Sequence, residues 1–307
     1  MASKEDVKFQ TLDGFFLGGR LYPAAQRGPA IILTPGYNTI VENFPAGLEQ
    51  EFQKANITAL SYDPRSTGGS GGLPRNDIDP FKRVEDYSDA LTYLSTLPIV
   101  DANAIVFWGV SLSAAIVLAA ASVDRRVAAV ISVAPVFDYK PMHALSPNQL
   151  KIKMMKDRMS QMLHGHPQYM LSIAASLAQV PFKAHFTSNH TPDRAWSHNS
   201  YETTMQSYYR MFLFEPVPEG VVHSISPIPL MFVTPELDQI SPPERQSAVF
   251  KALPGPKRQI FAPGKEHLFV MHGPEMPSLV RSQIEFIWQA VRGHLKPTPR
   301  GPDPTWC

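Results

Sequence analysis

One serine, one aspartate and one histidine in this chain are spaced so that they could act together in acyl transfer. The apolar stretch 105–108 predicts a buried strand, and Gly109 interrupts it shortly before Ser111. A helix of small residues is predicted to begin just after Ser111, and such a sharp strand-to-helix turn exposes the serine hydroxyl. A serine hydroxyl is a weak nucleophile, so it needs a base. His267 is the candidate base, with Asp238 as the acid that orients its imidazole.

The chain order of the three residues supports this interpretation. Asp238 follows the predicted strand 229–233, and His267 follows the predicted strand 258–261. The carboxyl ends of parallel strands lie at one edge of a sheet, so the three side chains are expected to meet there. The order Ser, Asp, His is known for serine nucleophiles placed on this kind of turn.

Three neighbouring residues are alternatives for the same roles. Glu236 is the competing acid because it lies nearer the strand end, and His272 is the competing base, although it comes almost at the final predicted helix. Ser113 stands where a second glycine usually follows the nucleophile, and it is the alternative nucleophile, disfavoured because the strand ends too early for it.

Two backbone amides are predicted to stabilise the oxyanion of a tetrahedral intermediate. One belongs to Leu112, directly after the serine, and the other to Tyr37, which follows Pro35 and Gly36 at the end of another predicted strand. Proline has no N–H, but the required donor belongs to Tyr37, so the pair of donors is expected to be complete.

Strands and helices alternate along most of the chain. A hairpin is predicted over 7–22. The other predicted strands are 30–33, 57–62, 105–108, 128–133, 229–233 and 258–261, and the predicted helices are 44–55, 79–96, 112–122, 242–253 and 274–295. This alternation predicts an α/β fold with a mostly parallel sheet and helices on both faces.

The alternation stops within 138–226, where no good strand and several helices are predicted. We therefore expect a core formed by 1–137 and 227–295, a helical lid at 138–226, and a disordered, proline-rich tail at 296–307.

The inserted segment is rich in flexible and aromatic apolar side chains. It carries eight of the twelve methionines: Met142, Met154, Met155, Met159, Met162, Met170, Met205 and Met211. Thioether side chains suit an adaptable apolar pocket, which predicts a long hydrophobic acyl substrate. The residues predicted to bind the substrate are Trp196, Tyr208, Met155 and Met159. The equally weighted alternative is that such residues form the core of the insert or a homodimer contact.

The composition of the chain argues against several other classes of protein, partner and site. A net charge of +1 argues against a nucleic-acid partner, and no stretch is apolar enough to span a membrane. The N-terminus lacks the apolar core of a signal peptide, so a cytoplasmic location is expected. Cys307 is the only cysteine, and His164 and His166 have no nearby acidic or thiol ligand, so no metal and no cofactor are predicted.

Five motifs together resemble those of one family: residues 8–14 (KFQTLDG), 62–70 (YDPRSTGGS), 84–90 (VEDYSDA), 108–113 (WGVSLS) and 203–209. They are similar to fungal α/β-hydrolase-fold enzymes of secondary-metabolite clusters, called polyketide transferases or thiohydrolases. The resemblance implies a mostly parallel eight-stranded sheet, with a helical lid after the sixth strand. It also implies acyl transfer from a carrier-bound thioester, with a polyketide synthase carrier domain as a partner and Ser111, Asp238 and His267 as the triad.

Other functions are compatible with the same residues. A carboxylesterase or deacetylase acting on a finished small molecule would use the same triad. A cyclase would use the pocket with His267 as a base, and a non-catalytic member would only bind a ligand.

Overall fold

The structure, a computed structural model, describes residues 4–138, 146–171, 202–215, 220–221 and 224–295. The strands are β1 (Glu5–Gln10), β2 (Phe16–Tyr22), β3 (Gly28–Thr34), β4 (Thr58–Tyr62), β5 (Val100–Val110), β6 (Ala129–Val133), β7 (Tyr169–Leu171), β8 (Glu202–Thr204), β9 (Leu230–Pro235) and β10 (Lys257–Ala262). The helices are α1 (Leu48–Lys54), α2 (Pro80–Ser95), α3 (Leu112–Val123), α4 (Pro147–Met162), α5 (Met205–Phe214), α6 (Pro243–Ala252) and α7 (Met276–Val291).

Eight of the strands form one sheet in the order β1-β2-β4-β3-β5-β6-β9-β10. β2 pairs antiparallel with both β1 and β4, and the remaining neighbours pair in parallel. The eight-stranded, mostly parallel sheet implied by the resemblance is therefore confirmed.

Both faces of the sheet are covered, because successive side chains of the central strands point to opposite sides. In β5, Ile105 and Phe107 pack into the apolar cluster that includes α2 and α3, whereas Val106 and Trp108 pack into the cluster that includes α1 and α7. The Trp108 indole donates a hydrogen bond to Gln283 of α7 over 2.8 Å, which satisfies its only polar atom.

Two local expectations differ from the structure. The predicted helix over 44–55 is shorter and begins at Leu48, because Gly47 before it adopts a left-handed conformation with φ 91°. The segment 138–226 contains a strand pair, which the sequence did not predict: β7 and β8 pair antiparallel over three residues each.

The segment between β6 and β9 contains α4, β7, β8 and α5, and α5 packs against α4 and α2. The buried Asp157 joins these elements, since it accepts hydrogen bonds from the Gln168 amide and from the side chains of Gln161 and Gln206. No helix within the described residues is long and apolar enough to cross a membrane.

Polar contacts attach this segment to the loop before α2. Thr203 donates to the carbonyl of Asn76 over 2.7 Å, and the Ile78 amide donates to the Ser207 hydroxyl over 2.7 Å. Arg210 lies 2.8 Å from the carboxylate of Asp77. The base of the segment is thus attached to the loop before α2 by several hydrogen bonds.

Candidate active site

Ser111 lies at the turn between β5 and α3, with φ 60° and ψ −119°. A non-glycine residue with positive φ costs on the order of 1–3 kcal/mol unless its surroundings enforce it. Here the Ser111 amide donates to the carbonyl of Val133 at the end of β6 over 2.9 Å, which holds the turn. A Cβ on Gly109 would lie 2.3 Å from the carbonyl oxygen of Ser113, so the turn requires glycine there.

Ser113 stands where a second glycine usually follows the nucleophile, and the structure explains why a serine is found there. Its buried hydroxyl donates to the carbonyl of Pro35 over 2.6 Å and so ties helix α3 to the loop after β3. The same loop touches the serine, because a Cβ on Gly36 would be 2.9 Å from the Cβ of Ser111. The hydroxyl of Ser113 is thus hydrogen-bonded to the loop, whereas the imidazole of His267 contacts Ser111.

His267 lies in the short turn after β10, between the other two predicted residues. Its Nε2 is 2.8 Å from the Ser111 Oγ, and its Nδ1 is 2.8 Å from Asp238 Oδ2. The side chain of His267 is 4% exposed and that of Asp238 is fully buried. The three residues therefore form a continuous hydrogen-bonded chain, in which Ser111 is partly buried and the other two are buried.

The carboxylate of Asp238 is held by three further donors. Oδ1 accepts from the amides of Ile240 and Ser241 over 2.9 and 2.8 Å, and Oδ2 accepts from the Gln246 side chain over 2.9 Å. Hydrogen bonds of this kind fix the orientation of the carboxylate. Sequence patterns do not identify Gln246, because a lone glutamine on a helix carries no signal for this role.

Neither alternative acid nor alternative base joins the hydrogen-bonded chain. Glu236 is exposed and accepts from the Gly264 amide over 2.8 Å. The ring of His272 packs edge-on against Phe269, with 5.8 Å between the ring centroids. The geometry thus favours Asp238 and His267 over both alternatives.

The two predicted oxyanion donors belong to the chain segments next to Ser111. Leu112 is the first residue of α3, and the first amides of a helix have no acceptor within the helix. Tyr37 follows Gly36 in the loop that contacts Ser111, and burial raises the pKa of its hydroxyl well above the ordinary value. The role of these two amides as donors stays a prediction.

The predicted substrate-binding residues occupy different environments. Tyr208 of α5 is buried, and its ring lies 6.4 Å from that of Tyr37, centroid to centroid. Met155 and Met159 of α4 are exposed, and Trp196 lies outside the described residues. Their contact with substrate stays a prediction.

Three of the insert's methionines are buried in the apolar cluster on the α2 face of the sheet: Met154, Met205 and Met211. For these three the packing agrees with the alternative that they form core. Met142 lies outside the described residues.

The hydroxyl of Tyr87 joins α2 to the strand ends beside the serine. It donates to the carbonyl of Trp108 over 2.9 Å and contacts the Thr34 hydroxyl at the end of β3. This fixes α2 relative to the edge of the sheet that carries Ser111.

Comparisons with known proteins show the family to which the chain belongs. A sequence model of the alpha/beta hydrolase family matches residues 31–281. A thiohydrolase of Eupenicillium brefeldianum is 40% identical over 295 residues, which cover 94% of each chain. The polyketide transferase ATR5 of Stachybotrys chlorohalonatus is 39% identical over 298 residues, which cover 94% of this chain and 98% of that protein.

A solved structure is also similar along nearly the whole chain. The crystal structure of the alpha/beta hydrolase GrgF from Penicillium sp. sh18 is 34% identical, with a TM-score of 0.82, covering 95% of this chain and 100% of that one. The chain therefore belongs to the alpha/beta hydrolase family and, within it, to the group that contains fungal polyketide transferases and thiohydrolases.

Proposed function

We propose that the protein removes a polyketide acyl chain from a thioester and passes it to water or an alcohol through an acyl-Ser111 intermediate. The observation that carries this proposal is the pair of 2.8 Å contacts that His267 makes with Ser111 and Asp238. The substrate class rests on relatives named as thiohydrolases and polyketide transferases.

The first half-reaction forms the acyl-enzyme. His267 takes the proton of Ser111 as the hydroxyl oxygen attacks the thioester carbonyl, and Asp238 stabilises the resulting imidazolium. The amides of Leu112 and Tyr37 bind the oxyanion of the tetrahedral intermediate. When the intermediate collapses, the carbon–sulfur bond breaks and His267 returns the proton to the leaving thiolate.

The second half-reaction uses the same groups in reverse. His267 takes a proton from the acceptor hydroxyl, the acceptor oxygen attacks the acyl-Ser111 carbonyl, and the proton then returns to the serine oxygen. Water as the acceptor yields the free acid, and an alcohol yields an ester. The choice between them depends on how well water is excluded from the site.

The segment 138–226 serves as a lid in this proposal, over a core of 1–137 and 227–295. Support comes from α5, whose Tyr208 packs against Tyr37 beside the serine loop. Substrate contacts are assigned to Trp196, Tyr208, Met155 and Met159, and the acyl donor is a polyketide synthase carrier domain.

Intact-protein mass spectrometry after incubation with a set of acyl thioesters tests the proposal. Wild type is expected to gain the mass of the acyl group, and Ser111→Ala is expected to gain none. Peptide mapping then locates the acyl group on the peptide that contains Ser111. Absence of both an adduct and thiol release would refute the thioester proposal.

A parallel assay with oxygen esters separates the alternatives. Turnover of p-nitrophenyl esters without turnover of thioesters would favour a carboxylesterase or deacetylase. Turnover of neither class would favour a cyclase or a ligand-binding role.

A further inference from the structure

The loop after β3 is held by a side chain from the first turn of α3. Ser113 is 1% exposed, and its hydroxyl donates to the Pro35 carbonyl over 2.6 Å. A buried hydroxyl has no water as an alternative partner, so breaking this bond would leave both groups unsatisfied. The contact therefore fixes the direction of the Pro35 carbonyl relative to α3.

The same loop carries one of the two amides assigned to the oxyanion. Because peptide groups are planar, only the two backbone dihedrals of Gly36 separate the Pro35 carbonyl from the Tyr37 amide. A glycine is required there, since a Cβ would lie 2.9 Å from the Ser111 Cβ and 3.2 Å from the Val110 carbonyl oxygen. Glycine is also the residue least restricted in these dihedrals. The direction of the Tyr37 N–H therefore depends on the contacts that hold the loop.

The other assigned amide belongs to the residue directly before Ser113. Leu112 is the first residue of α3, and the first amides of a helix have no acceptor within the helix. Among the described residues, neither this amide nor that of Tyr37 donates to a backbone carbonyl. The side chain of Ser113 thus joins the segment that carries one amide to the loop that carries the other.

Other contacts hold the loop after the Tyr37 amide. The Tyr37 ring packs against α5, and the Asn38 side chain donates to the Glu202 carbonyl in β8 over 3.2 Å. Both contacts attach the loop to the inserted segment. Ser113, by contrast, attaches the loop to the helix that begins directly after Ser111, so it relates the loop to the nucleophile itself.

We propose that Ser113 is a positioning residue which, by holding the Pro35 carbonyl, sets the distance between the two amides that bind the oxyanion. Such donors must lie about 2.7–3.1 Å from the oxyanion, so a small displacement of one of them weakens its effect. This inference rests on the proposed function and adds a residue to its machinery. It also gives the serine a role that a second glycine, which has no side chain, could not fill.

The test compares Ser113→Ala with the matched control Ser132→Ala. The Ser132 hydroxyl in β6 is also buried, and it donates to another carbonyl of α3, that of Ala114, over 2.8 Å. Each variant loses one buried bond from a hydroxyl to a backbone carbonyl, so urea denaturation is expected to show a similar loss of stability in both. Only Ser113→Ala alters the loop that carries the Tyr37 amide.

Steady-state kinetics use the thioester that wild type turns over fastest. Ser113→Ala is expected to lower kcat by about tenfold to a hundredfold, since outright removal of an oxyanion donor costs roughly 10²–10³-fold. KM is expected to stay within about twofold, because the bound substrate does not yet carry the oxyanion. Ser132→Ala is expected to change neither constant. An equal loss of kcat in both variants, an unchanged kcat in Ser113→Ala, or an effect on KM alone would overturn the inference.

A tetrahedral adduct provides a readout that does not depend on turnover. The Ser111 oxygen adds to the carbonyl carbon of an alkyl trifluoromethyl ketone, the serine proton passes to His267, and the ketone oxygen becomes an oxyanion. Fluorine NMR titration is expected to show that Ser113→Ala binds this ketone about tenfold more weakly than wild type and Ser132→Ala do. Equal affinities of wild type and Ser113→Ala would overturn the inference. A wild type that forms neither this adduct nor an acyl-enzyme would instead refute the proposed function.

Discussion

Gln246 donates a hydrogen bond over 2.9 Å to Asp238 Oδ2, the same oxygen that lies 2.8 Å from Nδ1 of His267. Gln246 is fully buried and also donates to the Ser241 carbonyl over 2.6 Å, so its amide has a fixed orientation. The glutamine therefore sets the position of the carboxylate that in turn orients the imidazole.

We expect Gln246→Leu to lower kcat for thioester turnover by about tenfold, because the carboxylate loses a buried donor worth on the order of 1 kcal/mol and gains freedom to rotate. Steady-state kinetics with a fixed thioester measure the effect. Gln289→Leu, which removes a glutamine paired with Arg258 away from the site, is the control. An unchanged kcat in Gln246→Leu would show that the backbone amides alone hold Asp238.

The two acidic residues of the loop after β9 are expected to differ strongly. Asp238→Asn should lower kcat by on the order of 10⁴-fold, as is typical when the acid of such a triad is replaced by its amide. Glu236→Gln should have little effect, because Glu236 is exposed and accepts from the Gly264 amide rather than from His267. The reverse ranking would identify Glu236 as the functional acid.

Gly109→Ala is expected to destabilise the fold as well as the site. The added Cβ would lie 2.3 Å from the Ser113 carbonyl oxygen, so the turn must shift, at a cost of roughly 1–3 kcal/mol. Gly220→Ala is the matched control, since its Cβ would meet nothing within 4 Å. Urea denaturation of both variants measures the difference, and equal midpoints would contradict the expectation.

The buried Asp63 makes stability depend on pH. Burial raises its pKa from 3.8 to about 6, although the amides of Val41 and Gly69 partly stabilise the ionised form. A raised carboxyl pKa means that the folded state binds the proton more tightly than the unfolded chain. The contribution of Asp63 to stability is therefore fully present below pH 3.8 and is lost as the pH rises through about 6.

Asp63→Asn removes this titration. The free energy of unfolding of wild type, relative to Asp63→Asn, is expected to fall by up to about 3 kcal/mol across that pH window. Chemical denaturation on either side of the window measures the change. A difference between the two proteins that does not vary with pH would contradict the expectation.

Much of the fold was predictable because its signals are local. The central strands are continuous β-branched and apolar runs, and the turn at Gly109 and the carboxylate and imidazole loops follow strands in a recognisable order. β7 and β8 were missed because three residues are too few to show an alternating pattern. The start of α1 was misplaced because the left-handed Gly47 has no distinct signal within a helical pattern.

Arg83 illustrates what local patterns do not predict. The predicted helix 79–96 has an apolar face formed by Val84, Tyr87, Leu91 and Leu94, and an arginine beside such a face is usually solvated. Arg83 is nevertheless buried, in a helix that packs against β3 and α5, which are distant in sequence. Long-range contacts of this kind also place Gln246 against Asp238.

The contacts between the inserted segment and residues 76–79 have a consequence for protein engineering. A chimera that exchanges only the insert with that of a relative would leave the Ile78 amide and the Asn76 carbonyl dependent on hydroxyls that the new insert need not supply. The exchange would also remove Arg210 of the insert from its partner Asp77, which stays in the loop before α2. The transplantable unit is therefore two segments that are far apart in the gene, the insert and the loop before α2.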